Sequence, residues 1–184
     1  RIVAMAKIED RHREMRPDGI PVATGILAVA DAWACTNPSV GRGASIGMLH
    51  AQALRDTLRE TGPDRPADLS EGFGSATAAT VEPWYQGTLS FDRHRLAEMK
   101  AFAEGATYDP GNPEYEMTRA LAQASLRDPD VFRAFSDIVG VLELPETVLA
   151  RPGMFEKVVG LGADWRDEAP IGPNRGELVA MANA

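Results

Sequence analysis

Gly25-Ile-Leu-Ala-Val-Ala-Asp31-Ala-Trp-Ala-Cys-Thr-Asn-Pro38-Ser-Val-Gly41-Arg-Gly43-Ala-Ser-Ile-Gly47 is the stretch on which the reading of this chain turns. Residues 25–30 form an unbroken apolar run, too short for a helix and without polar alternation, which predicts a strand covered on both faces. Asp31 then emerges at the carboxyl end of that strand. A carboxylate there accepts hydrogen bonds from hydroxyl groups. Further on, the backbone amides of Gly43, Ala44 and Ser45 open a helix, and the positive end of a helix attracts anionic groups. A ligand that carries both hydroxyls and negative charge fits this order of elements.

Outward from that stretch, the pattern becomes helical. Ile46, Leu49, Ala53 and Leu58 recur near one face, with His50, Gln52, Arg55, Asp56 and Arg59 elsewhere, and Gly62-Pro63 ends the helix. Upstream, residues 2–8 are apolar, residues 9–16 are highly charged, Arg16-Pro-Asp-Gly19 supplies a turn, and residues 20–24 form a strand leading into 25–30. Everything after Pro66 reads as helical. A break is expected near Pro83, because proline inside a helix loses a hydrogen bond and clashes with the preceding turn. Residues 108–113 read as a loop and 114–126 as a helix. Asp128-Pro129 opens another helix running to about Leu142, with the carboxylate as cap and proline in the first turn. Pro145 and Pro152 mark two more helix starts, and residues 162–176 form a loop rich in Pro and Gly. The fold class expected is therefore mainly α with a small β element.

Composition narrows the functions. At 184 residues with 44% hydrophobic content, the chain can bury one sizeable core, or one core and a smaller helical lobe. The net charge of -8, without any dense block of Lys or Arg, argues against nucleic acid or an anionic membrane as partner. No apolar run approaches the roughly 18 to 20 residues of a membrane helix. Cys35 is the sole cysteine, which excludes an internal disulfide and a cysteine-based zinc site and fits a reducing cytoplasm. The chain opens on Arg1 and runs straight into an apolar segment, so it is expected to be cut from something longer.

Gly41-Arg-Gly-Ala-Ser-Ile-Gly47 matches a GxGxxxG pattern similar to the variant dinucleotide fingerprint of short-chain dehydrogenases. In that unit the first glycine follows the strand directly, whereas here about ten residues intervene, which disfavours it. Residues 25–58 instead resemble the second flavin-binding motif of FAD-dependent monooxygenases and their relatives, the aromatic hydroxylases, flavin-dependent halogenases and geranylgeranyl reductases. That motif runs as apolar strand, Gly-Asp, loop with proline, glycine-rich turn and small-residue helix. The resemblance implies that Asp31 binds the ribityl chain, that Pro38 lies beside the isoalloxazine ring, and that Gly41, Arg42, Gly43, Ala44 and Ser45 meet the pyrimidine edge. Ala30 stands where the family has glycine.

The family's first motif, a GxGxxG that holds the ADP half of FAD, is absent from these 184 residues. The resemblance therefore implies the C-terminal part of a FAD-binding α/β flavoprotein fold over residues 1–62 and a helical C-terminal region over 63–184. The partner expected is an N-terminal GxGxxG-containing FAD domain. The parent is expected to be an oxidoreductase acting on a small-molecule substrate with NAD(P)H as reductant, and this chain alone is expected to be inactive and to hold FAD weakly. Uncovered, residues 20–30 are expected to drive self-association.

The alternative is a non-enzymatic helical interaction module whose glycine turn serves only close packing. No pair of carboxylates can be assigned acid and base roles. Cys35 reads as an ordinary loop residue. His12, His50 and His94 have no neighbours at metal-ligand spacing, His94 within Asp92-Arg-His-Arg95 reads as part of a solvated face, and Trp84, Tyr85 and Trp165 read as packing aromatics.

Overall fold

The computed structural model describes residues 9–167 and 172–184; the apolar segment 2–8 lies outside them. Among the described residues the chain is mainly helical, with eight α-helices and one two-stranded sheet. Strand β1 (Arg11–His12) pairs antiparallel with β2 (Ala34–Cys35), Arg11 opposite Cys35 and His12 opposite Ala34. The ladder extends through the Arg13 amide, which donates to the Trp33 carbonyl at 2.8 Å.

The strands expected at 20–24 and 25–30 do not form. Residues 20–29 run as irregular chain, and Ile20, Val22 and Ile26 are all more than half exposed. An apolar run encodes a need for cover, whereas a strand also needs a neighbour for its amides and carbonyls, and no described segment pairs with this one. Purified chain is therefore expected to self-associate through residues 20–26. Sedimentation equilibrium should show an average mass that rises with concentration, and a paired Val22→Lys and Ile26→Lys substitution should suppress the rise. A constant monomer mass in the parent sequence would show that this segment needs no outside cover.

The helices follow the punctuation of the sequence. Helix α1 (Gly43–Thr61) ends at Gly62, whose φ of 82° is open to glycine at no steric cost and whose amide closes on the Leu58 carbonyl. Helices α2 (Pro66–Thr80) and α3 (Glu82–Ala103) part at the fully buried Val81, just before Pro83. Asn112 caps α4 (Pro113–Ser125) by accepting from the Tyr115 amide. The Asp128 carboxylate caps α5 (Pro129–Val139) by accepting from the amides of Asp130 and Val131. The same carboxylate binds Lys157 Nζ at 3.2 Å, which ties the start of α5 to a later helix.

Helix α5 stops three residues before the expected Leu142. The amides of Gly140 and Leu142 turn back onto the carbonyls of Ser136 and Asp137, and Val141 takes a left-handed φ of 61°. Arg151 holds that corner by bridging the carboxylates of Asp137 and Glu143. Helices α6 (Pro145–Leu149), α7 (Met154–Gly162) and α8 (Arg175–Ala182) complete the chain. The expected start at Pro152 falls instead after Gly153, the N-cap of α7.

The core joins Trp33, Ile46, Val81, Trp84 and Tyr85 with Leu121, Ala124, Val131, Ala134, Val148 and Val158. Helix α1 packs on α2, and α4 packs on α5 and α7. The α1–α2 approach is close, since a methyl at Gly72 would stand 3.0 Å from Thr57 Cγ2.

Candidate functional site

Between residue 29 and the start of α1, the chain makes two turns, and the residues singled out by the sequence lie on them. Ala30–Ala32 forms a 3₁₀ turn closed by the amides of Ala32 and Trp33 on the carbonyls of Val29 and Ala30. Asp31 is exposed on this turn. Its position is therefore on a turn leading into β2, and the strand end expected for it is absent. The guanidinium of Arg13 braces the turn by donating to the carbonyls of Asp31 and Ala32, each at 3.1 Å.

Ala30 has φ of 54°, in the left-handed region where an L side chain costs roughly 1 kcal/mol. The backbone thus takes, at this position, the conformation that glycine adopts freely. Ala30→Gly is expected to raise stability by about 0.5–1 kcal/mol, the gain from removed strain being offset partly by a freer unfolded chain. Urea unfolding measures it, and a loss of stability would show that the position is not left-handed.

Pro38 begins a second 3₁₀ turn, Pro38–Val40, and is exposed. Gly41 follows with φ of 70°. Arg42 precedes α1, and no side chain caps the helix start there. Gly43 is half-buried, Ala44 is exposed and Ser45 is half-buried. The structure brings Asp31 and Gly43 into one small recess of about 10 Å³, room for about a single water, together with Trp33, Gly47, His50 and Tyr85. Arg42 is committed to the interior of the protein. Its Nη2 donates to Thr88 Oγ1 at 3.0 Å and its guanidinium lies 5.8 Å from the Trp84 ring, a burial that lowers its pKa.

His50 is the largest departure from the sequence reading. It was expected off the apolar face of α1, yet it is fully buried beside Ile46. Its Nδ1 accepts from the Ala30 amide at 3.1 Å, and its Nε2 lies 3.0 Å from Thr77 Oγ1 on α2. The ring stacks on Phe73 at 4.8 Å and meets Trp33 edge-on at 5.2 Å. Burial lowers its pKa, because the charged imidazolium loses its water. Periodicity could have found it, since Ile46, His50 and Thr57 share one side of the helix; only polarity counted against it.

Comparison with protein-family models, curated proteins and solved structures gives no match.

A second, larger depression of about 310 Å³ shares Trp33 with the recess and lies between residues 12–28 and α2, with Met15, Ile26, Leu27, Phe73 and Ala78 in its walls. The sequence carried no sign of it, because one of its two walls comes from irregular chain. His12 also lines this depression and packs against Trp33 and Tyr85. His94 is half-buried, in correction of the solvated face expected for it, stacking on Tyr115 at 4.4 Å with Nδ1 2.7 Å from Tyr108 Oη. Trp84 and Tyr85 are buried in the core, the guanidinium groups of Arg119 and Arg166 both lie over the Trp165 ring, and Cys35 is half-buried in β2. Among the described residues no group of His, Cys, Asp and Glu is placed to hold a metal ion, and no helix is long and apolar enough to cross a membrane.

Proposed function

We propose that this chain supplies the ribityl and isoalloxazine side of the flavin site of a FAD-dependent oxidoreductase, monooxygenase-like and cytoplasmic, with the adenine half of the cofactor held by a GxGxxG-containing domain elsewhere. The observation that carries this reading is the left-handed backbone at Ala30 immediately before an exposed Asp31, set beside the start of α1, where the N-cap residue Arg42 makes no side-chain cap. Each part has a chemical use. The Asp31 carboxylate accepts from ligand hydroxyls. The amides of Gly43, Ala44 and Ser45 point out of a 19-residue helix whose positive end favours negative charge.

Bound there, a flavin would supply hydride and electron transfer between NAD(P)H and a small-molecule substrate or oxygen. The protein's share is orientation and electrostatics. Asp31 fixes the hydroxylated chain, Pro38 shapes the approach to the ring, and the fixed dipoles at the start of α1 stabilise charge gathering at the pyrimidine edge without reorganising. Arg42, tied to Thr88 and Trp84, contributes positive potential from behind the turn and makes no direct ligand contact in this arrangement.

The test compares Asp31→Ala with Asp56→Ala in the full-length protein. A charge-assisted hydrogen bond is worth about 1.5–3 kcal/mol, so Asp31→Ala should weaken FAD binding by roughly 10- to 150-fold. Asp56 is exposed on α1 and paired with Arg55 and Arg59, and its removal should leave the flavin titration unchanged. Identical titration curves for the two variants would remove Asp31 from the site.

A further inference from the structure

We infer that His50 is the positioning residue of the Ala30–Asp31 turn, and that it holds the turn only as the neutral imidazole with its proton on Nε2. The direction of the hydrogen bonds requires that tautomer. The Ala30 amide can only donate, so Nδ1 must accept. Thr77 Oγ1 donates to the Phe73 carbonyl at 2.7 Å, so it receives the Nε2 proton. A directed chain of three bonds therefore runs between the turn and α2, with an amide at one end and a carbonyl at the other.

Helix α1 is shaped to seat the turn. Gly47, one helical turn before His50, faces Ala30 so closely that a methyl on it would stand 3.1 Å from Ala30 Cβ. A left-handed alanine persists only where its surroundings over-determine it. Here Gly47 makes the room and Nδ1 holds the amide, while Phe73 and Trp33 lock the imidazole plane from two sides.

A proton on Nδ1 would place one N–H against another, and the Ala30 amide would have to leave. Among the described residues no charged group bonds to the ring to offset such a charge. From the turn, Asp31 shares the recess; from α3, Tyr85 does; α2 presents only Phe73 and Thr77; His12 of β1 lies across the Trp33 ring. None of the titratable groups among these is hydrogen-bonded to the imidazole. Acid should thus free the amide of Ala30 and with it the residue that follows. The consequence for a ligand rests on the flavin reading of Asp31; the inference about the turn does not.

The experiment is ligand-free ¹H–¹⁵N NMR of this chain across pH. At pH 7.5 the nitrogen shifts of His50 should report the Nε2–H tautomer, and on acidification the Ala30 amide should move with the same midpoint as the His50 ring. Two variants separate positioning from bulk packing. His50→Asn keeps an acceptor oxygen near the place of Nδ1, so the Ala30 amide should stay protected from exchange and become insensitive to pH. His50→Gln carries its amide toward Thr77 instead, and Ala30 should exchange at least tenfold faster. An Nδ1–H tautomer, an Ala30 amide that ignores the His50 titration, or equal exchange in the two variants would each overturn the inference. If neither variant folds, the titration of the unaltered chain decides. Failure of the flavin reading would appear separately, as an unchanged flavin titration in Asp31→Ala.

Discussion

Gly162→Ala is expected to destabilise the protein by about 3 kcal/mol, the upper part of the range for overpacked interiors. A methyl at Gly162 would stand 2.7 Å from the carbonyl carbon of Ala120 and closer still to its oxygen, so α7 could keep its seat on α4 only by moving a backbone. Backbone, unlike the end of a long side chain, cannot yield cheaply. For a chain of this length the midpoint of thermal unfolding should fall by very roughly 10 °C, at about 2–4 °C per kcal/mol. Gly160→Ala is the control. It lies in the same helix with open space around its missing methyl, and it should be neutral or stabilising by up to about 1 kcal/mol, from helix propensity alone. Equal effects at the two glycines would mean that α4 and α7 do not meet as described.

The second large effect is expected at His50. His50→Leu keeps most of the volume but orphans the Ala30 amide and takes the partner from Thr77 Oγ1, a loss of about 3 kcal/mol when each stranded polar group costs about 1–3 kcal/mol. The pH dependence has a definite sign. Burial lowers the folded pKa of His50 below its unfolded value near 6.5, so the unfolded chain binds the proton first. The contribution is complete above that unfolded value and is lost as pH falls through it toward the folded one. The loss from this one group cannot exceed about 1.4 kcal/mol per pH unit. Urea unfolding between pH 7.5 and 5 should show this decline in the parent sequence and lack it in His50→Leu. Parallel curves would show that His50 does not titrate on unfolding.

What could be read from the sequence was local. Asp128, Gly62 and Pro83 act on the turn they belong to, and a cap or a break needs no knowledge of the rest of the chain. The run at 25–30 was different, because its apolar character states only that cover is wanted. His50 lay on the buried side of α1 by periodicity, but its polarity spoke against burial for a related reason. A polar residue belongs inside once its partners arrive, and these stand 20 and 27 residues away in the chain. Gly162 gave no sign, since its purpose lies in the backbone of another helix. For the candidate site, the sequence correctly placed Gly43 at the start of α1. It could not show that the backbone at Ala30 is left-handed, or that Arg42 turns inward.

The double duty of Asp128 bears on the order of events during acidification. Its pKa is held down first by the Val131 amide and then, against some desolvation, by Lys157 and the Asp130 amide. Its contribution is therefore intact above the ordinary carboxylate value and disappears only as pH falls through the lower, folded one. One protonation there loosens both the first turn of α5 and its tether to α7. A descending pH ramp should consequently release the start of α5 and its tie to α7 together, as one event rather than two.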